Sequence, residues 1–152
     1  MTKIIKIYLD TSVISALFDD RNPERQELTN DFFEKIEVFD VFISEIVLAE
    51  IEGIKTEELK KKVRKRVMNY KILKINEETR RLASEYIKNN AIPEGYSEDA
   101  LHIAISTLNN IDYLLSWNFR HIVKVKTRKI INMVNLSQHY PELKIIAPAE
   151  LL

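Results

Sequence analysis

The stretch Lys3–Phe18, KIIKIYLDTSVISALF, decides how the chain is read. Ile4, Ile5, Ile7, Tyr8 and Leu9 form a short β-branched and aromatic run with too little polar alternation for a half-exposed strand, so it is expected to be covered on both faces, as in a parallel sheet between helices. Thr11 or Ser12 offers an N-cap oxygen ahead of Val13, Ile14, Ala16, Leu17 and Phe18, which predicts strand, turn, helix. Asp10 falls at the carboxyl end of the strand, where ligands bind in open parallel sheets. Taken alone, it reads equally well as an ordinary turn or cap acid.

The same alternation continues along the chain. Asn22 and Pro23 announce a helix bearing Leu28, Phe32, Ile36 and Phe39, and Val41–Ile43 reads as a second buried strand. Ser44 caps a helix that ends near Gly53, and Leu59, Val63, Val67 and Tyr70 mark a third helix, whose outer face carries the Lys60–Arg66 charges. Ile72–Ile75 is a third strand and Glu77–Asn90 a helix. Ser97 is expected to cap a buried helix that Asn109-Asn110 ends. Tyr113–Ser116, Thr127–His139 and Lys144–Ile146 complete the series as strand, helix and edge strand. No repeat or linker interrupts it, so residues 1–152 read as a single α/β domain with helices on both sheet faces.

Composition excludes several chemistries. The 23 basic and 23 acidic side chains balance to a formal charge of +0, which rules out polybasic nucleic-acid binding but leaves room for a local basic groove. With Cys 0 there is no disulfide frame, thiol nucleophile or cysteine-ligated zinc, and the cytoplasm is the expected compartment. Gly53 and Gly95 are the only glycines, so dinucleotide and P-loop phosphate turns are both absent. The N-terminal run is too short and too charged for a signal segment, and no stretch approaches membrane-spanning length.

Two further acids stand out. On the Ser44–Gly53 helix, Glu45 and Glu52 share one stripe, as solvent-facing acids should. Glu50 instead shares a face with Ile46, Val47 and Ile54 and needs a partner. Asp99, in the first turn of the buried helix, either complements the helix dipole, as Glu98 already does, or faces a site. Parallel crossovers bring Asp10, Glu50 and Asp99 to one sheet edge. Crowded carboxylates repel one another, and a divalent cation relieves that repulsion.

The segments YLDTSVI, ISEIVLAEI, EDALHIA and DYLLSWNFRHI, in this order, resemble the PIN-domain nucleases, including the VapC-type toxins of toxin–antitoxin pairs. The resemblance implies a three-layer α/β/α PIN-like domain with a mainly parallel central sheet, a Mg²⁺- or Mn²⁺-dependent endoribonuclease site for single-stranded RNA, a cognate antitoxin protein and a homodimer. It maps the family's acids onto Asp10, Glu50 and Asp99, and its site hydroxyls onto Thr11, Ser12 and Ser116. Asn118 stands where the fourth acid is expected, and as a fourth metal position its amide oxygen can still ligate an ion or hold a coordinated water, though it removes one negative charge. The implied chemistry is in-line attack of a metal-activated water on the scissile phosphate, with Asp10 and Asp99 as principal ligands and Glu50 as ligand or water-orienting base.

The remaining candidates read in two ways. His102, three residues after Asp99, is a second metal ligand or, more in keeping with an oxygen-only site, a hydrogen-bonded core residue; His121 and His139 have no partner in the sequence. Trp117, Arg120, Lys124, Lys126 and Arg128 follow the site as an RNA-binding run, with Trp117 and Phe119 stacking on bases, or as a core tryptophan and a solvated helix start. A Ser12–His102–Asp99 triad lacks a nucleophile elbow, and aspartyl-phosphate chemistry as usually built wants a second acid where Ser12 stands. A non-catalytic RNA- or protein-binding domain with a weakened site is the competing expectation.

Overall fold

The computed structural model describes residues 3–152. Strands β1 (Lys6–Leu9), β2 (Asp40–Ser44), β3 (Lys71–Leu73), β4 (Tyr113–Leu115) and β5 (Lys144–Ile146) form one sheet of order β3-β2-β1-β4-β5. Every pairing is parallel, with Leu9 opposite Leu115 and Tyr8 opposite Phe42. The sheet therefore grows from β1 towards β2 and β3 on one side, and towards β4 and β5 on the other. The sense of growth reverses between β1 and β4, where open parallel sheets hold their ligands.

The helices are α1 (Thr11–Ala16), α2 (Pro23–Glu34), α3 (Glu45–Glu52), α4 (Glu57–Val67), α5 (Glu77–Lys88), α6 (Ser97–Leu108) and α7 (Val125–Ser137). Ile7, Tyr8 and Leu9 are all 0% exposed although consecutive side chains point to opposite sides, so both faces of β1 are covered. This is a three-layer α/β/α arrangement. Residue α6 Ile103 and its neighbours Ala104 and Ile105 are likewise fully buried, as their near-continuous apolar circumference predicts. No helix among the described residues is long and apolar enough to cross a membrane.

The differences from expectation are local. Ile4 and Ile5 are exposed ahead of β1, so only the second half of the apolar run is strand. The α1 cap is Asp10 itself, whose carboxylate accepts from the Val13 amide at 3.3 Å; Thr11 and Ser12 already lie in the helix and their hydroxyls face elsewhere. Ser97 is the first residue of α6 and Tyr96 occupies the cap without a side-chain bond. Helix α7 begins and ends two residues before the predicted Thr127–His139, and α5 stops at Lys88 with Asn76 and Thr79 forming a reciprocal capping box.

Candidate active site at the carboxyl edge of the sheet

Asp10 follows β1 directly and Ser116 follows β4, so the two flank the reversal point. Asp10 is 3% exposed. Its Oδ1 accepts from the Ser12 hydroxyl at 2.5 Å and from the Val13 amide, and its Oδ2 accepts from the Ser116 hydroxyl at 2.5 Å. Both serines are held in turn: Ser12 Oγ accepts from the Trp117 amide and Ser116 Oγ from the Asn118 amide, each at 2.9 Å. Burial pushes the Asp10 carboxyl above its ordinary value, against the opposing pull of nearby His102 and of these hydrogen bonds.

Glu50 reaches the same edge from α3. Its side chain is 37% exposed, so it lines an opening rather than rising from a covered apolar surface as its helical stripe suggests. Its partners are the Thr11 hydroxyl at 2.7 Å and His102 Nε2 at 2.7 Å, both on Oε1. Burial alone would raise the Glu50 carboxyl, but the bond and charge of His102 hold it below the usual range. His102 is 3% exposed, with Nδ1 2.6 Å from the Tyr8 hydroxyl, which also meets Ser44 Oγ at 2.7 Å. Burial disfavours the charged imidazole; the Glu50 bond and the charges of Asp10, Glu50 and Asp99 outweigh it and raise His102. One imidazole thus sits within electrostatic reach of all three acids.

Asp99 lies in the first turn of α6, 20% exposed at its side chain, and its Oδ2 is 3.0 Å from Nδ1 of His121. Burial raises its carboxyl, with His121 and His102 pulling the other way and Glu50 adding to the rise. The Tyr96 ring packs on His121 with centroids 4.0 Å apart. His121 had no visible partner in the sequence, because the turn that delivers it to Asp99 closes only in three dimensions. Asn118 forms that turn: its side-chain oxygen accepts from the His121 amide at 2.9 Å, and its backbone carbonyl accepts from the Ile122 and Val123 amides. The residue in the fourth acid's position therefore shapes the loop that holds His121.

The run of proposed RNA contacts is divided by the fold. Trp117 is 8% exposed and donates Nε1–H to Thr29 at 3.0 Å, so its ring is a core element and unavailable to a base; Phe119, at 48% exposed, is the accessible ring. Arg120, Lys124 and Lys126 are exposed. Arg128 is half-buried and donates to the Ile145 carbonyl at 3.2 Å, which ties it to β5 as a structural contact.

Among the described residues, His102 is the one ion-pair partner of Glu50 and His121 that of Asp99, and Asp10 has none; no lysine or arginine neutralises them. Nor do any three acid or imidazole groups among them come together as a ready-made metal cage. Among the described residues, Glu50 Oε2 and Asp99 Oδ1 have no hydrogen-bond partner, so each acid that is partly exposed keeps one oxygen open. The open oxygens of Glu50 and Asp99 are hard donors, the kind that Mg²⁺ or Mn²⁺ takes while retaining several waters, whereas Asp10 is buried with both oxygens already bonded.

The sequence matches the PIN-domain family over residues 7–124, a span that contains every acid, hydroxyl and imidazole described above. No curated protein matches the chain in sequence. Among solved structures it is similar to FitAcB from Neisseria gonorrhoeae (16% identity, TM-score 0.62, covering 93% of this chain and 97% of that one). It is also similar to VapC20 of Mycobacterium tuberculosis, described as a sarcin-ricin loop cleaving toxin (14%, 0.60, 76% and 92%), and to VapBC-1 from nontypeable Haemophilus influenzae (16%, 0.58, 93% and 97%). At these identities the similarity is one of fold. With the family match covering most of its length, the chain belongs to the PIN-domain family, whose domains are generally nucleases.

Proposed function

We propose that the protein is a Mg²⁺- or Mn²⁺-dependent endoribonuclease that cleaves single-stranded RNA, acting as the toxin of a toxin–antitoxin pair. The observation that carries this reading is that Asp10, at the reversal point of a parallel sheet, and Glu50 and Asp99 all lie within electrostatic reach of one imidazole, His102, with no lysine or arginine partner among the described residues. Family membership and the likeness in fold to a protein described as a sarcin-ricin loop cleaving toxin support the same reading. A bound divalent ion supplies charge neutralisation at the phosphate and a more acidic water.

The protein's own groups do the rest. Ser12 and Ser116 orient both oxygens of Asp10 through hydroxyls that are themselves fixed by backbone amides. Thr11 and His102 hold Glu50 ionised, with Oε2 free to accept a proton from the attacking water. His121 fixes Asp99 through Oδ2, so Asp99 would hold the ion through Oδ1. Arg120, Lys124 and Lys126 supply exposed positive charge beyond the site for the RNA backbone.

The fold neighbours include structures of toxin–antitoxin complexes, and we assign this chain a cognate antitoxin, a homodimeric state and a cytoplasmic place on the same reading. Asn118 favours one second reading, a non-catalytic RNA- or protein-binding domain, since it removes a charge from the acid set. Labelled single-stranded RNA incubated with Mg²⁺ or Mn²⁺ decides between them, with EDTA and Asp10→Asn as controls. Metal-dependent cleavage lost in both controls is the expected result; binding without cleavage establishes the second reading.

A further inference from the structure

Beside the acids lies a second feature that the proposed chemistry does not use. The Arg25 guanidinium, from α2, sits over the Trp117 ring at 5.0 Å and the Phe119 ring at 5.8 Å, and the two rings meet edge to face with centroids 6.0 Å apart. Trp117 is the buried member, pinned through Nε1 to Thr29. Phe119 is half-exposed, and its amide donates to the Trp117 carbonyl at 3.0 Å, which fixes the turn that presents it. Among the described residues no carboxylate pairs with Arg25; the nearby Asp19 is taken by Arg21 at 2.9 Å.

We propose that Arg25 and Phe119 form a subsite that takes an unpaired RNA base next to the scissile phosphate, the base stacking on Phe119 while Arg25 faces the adjoining phosphate. The inference rests on the nuclease reading for its substrate class. Three observations carry it. Phe119 is three residues beyond Ser116, which bonds Asp10, so the platform and that acid are tied to one turn of chain. The Phe119 ring packs edge to face on the buried Trp117, which reduces the side-chain ordering that stacking requires. The cation over it makes no ion pair among the described residues and feels only the longer-range charge of Asp19, which leaves it able to take an anionic ligand bearing flat, apolar faces. A protein side chain offers a flat face without the regular negative charge.

The test uses a single-stranded RNA oligonucleotide carrying 2-aminopurine at one position at a time, bound in EDTA so that no cleavage occurs. Wild type is expected to quench the fluorophore at one position. Phe119→Ala removes the quench and weakens Kd about tenfold, Phe119→Trp retains both, and an abasic residue at that position weakens wild type to the level of Phe119→Ala. Arg25→Ala lowers the slope of log Kd against log salt by about 0.7. An unchanged Tm shows that the variants are folded. A Phe119→Ala protein that binds normal and abasic RNA as wild type does overturns the subsite, as does wild type without any position-specific quench. Metal-dependent cleavage accompanying that negative result leaves the nuclease reading standing. A position-specific quench from a protein that never cleaves upholds the subsite and overturns the nuclease reading.

Discussion

Asp10 and Asp112 stand at opposite ends of the same pair of central strands, and their surroundings are opposite in kind. Asp112 precedes β4; it accepts from Lys3 Nζ at 2.8 Å and from the Lys6 amide at 2.9 Å, and these bonds outweigh partial burial to hold its carboxyl below the usual value. Asp10, after β1, is buried, receives hydroxyl and amide donors alone among the described residues, and is raised. The first acid has its cation built in and ties two strands together. The second is ordered as firmly but left without a permanent counter-charge, the condition in which a cation that comes from solution gains most by binding.

The largest separation between the two acids is expected in catalysis. Asp10→Asn lowers metal-dependent RNA cleavage by about a hundredfold or more, whereas Asp112→Asn leaves the rate within about twofold. Equal losses in a cleavage assay would erase the distinction. Next in size is Thr11→Val, which removes one of the two donors that hold Glu50 and should slow cleavage about tenfold without changing Kd for RNA in EDTA.

Thermal unfolding sharpens the contrast. Mg²⁺ at about ten times its Kd should stabilise wild type by about 1.4 kcal/mol, a Tm rise of about 3–6 °C for a chain of this length. Asp112→Asn should show the same rise and Asp10→Asn none.

The smallest effect is the sign of the pH dependence in EDTA. Asp112 is lowered by folding, so its contribution is present above its unfolded value of about 4 and is lost as pH falls through the folded value. Asp112→Asn should therefore destabilise by about 0.5–1 kcal/mol at neutral pH, and less in acid. Asp10 is raised, so its ionised form opposes folding above the folded value and the opposition fades as pH falls through it. Asp10→Asn should raise Tm at neutral pH, by a margin that shrinks towards acid. Denaturant titrations across pH read both signs.

The sheet was legible because its strands are short apolar runs separated by capped helices, and Asp10 was legible because it ends the first of them. Glu50 was visible as an acid on an apolar stripe, yet its burial was overstated, because helical periodicity does not show that the end of α3 opens at the sheet edge. His121 was illegible: its partner Asp99 lies 22 residues earlier, across β4 and the Asn118 turn. Trp117 beside basic residues reads alike as core or as contact, and what decides it is a hydrogen bond to Thr29, 88 residues away. The cap of α1 shows the same limit. Asp10 caps α1 and also belongs to the proposed site, so the two readings that its position offered are not exclusive.

Direct Mn²⁺ binding to the purified protein, followed by calorimetric titration, tests the central claim. Wild type and Asp112→Asn are predicted to bind the ion with the same affinity and Asp10→Asn to lose it. Undiminished binding by Asp10→Asn would contradict the assignment of the carboxyl edge of β1 as the metal-holding end of the molecule.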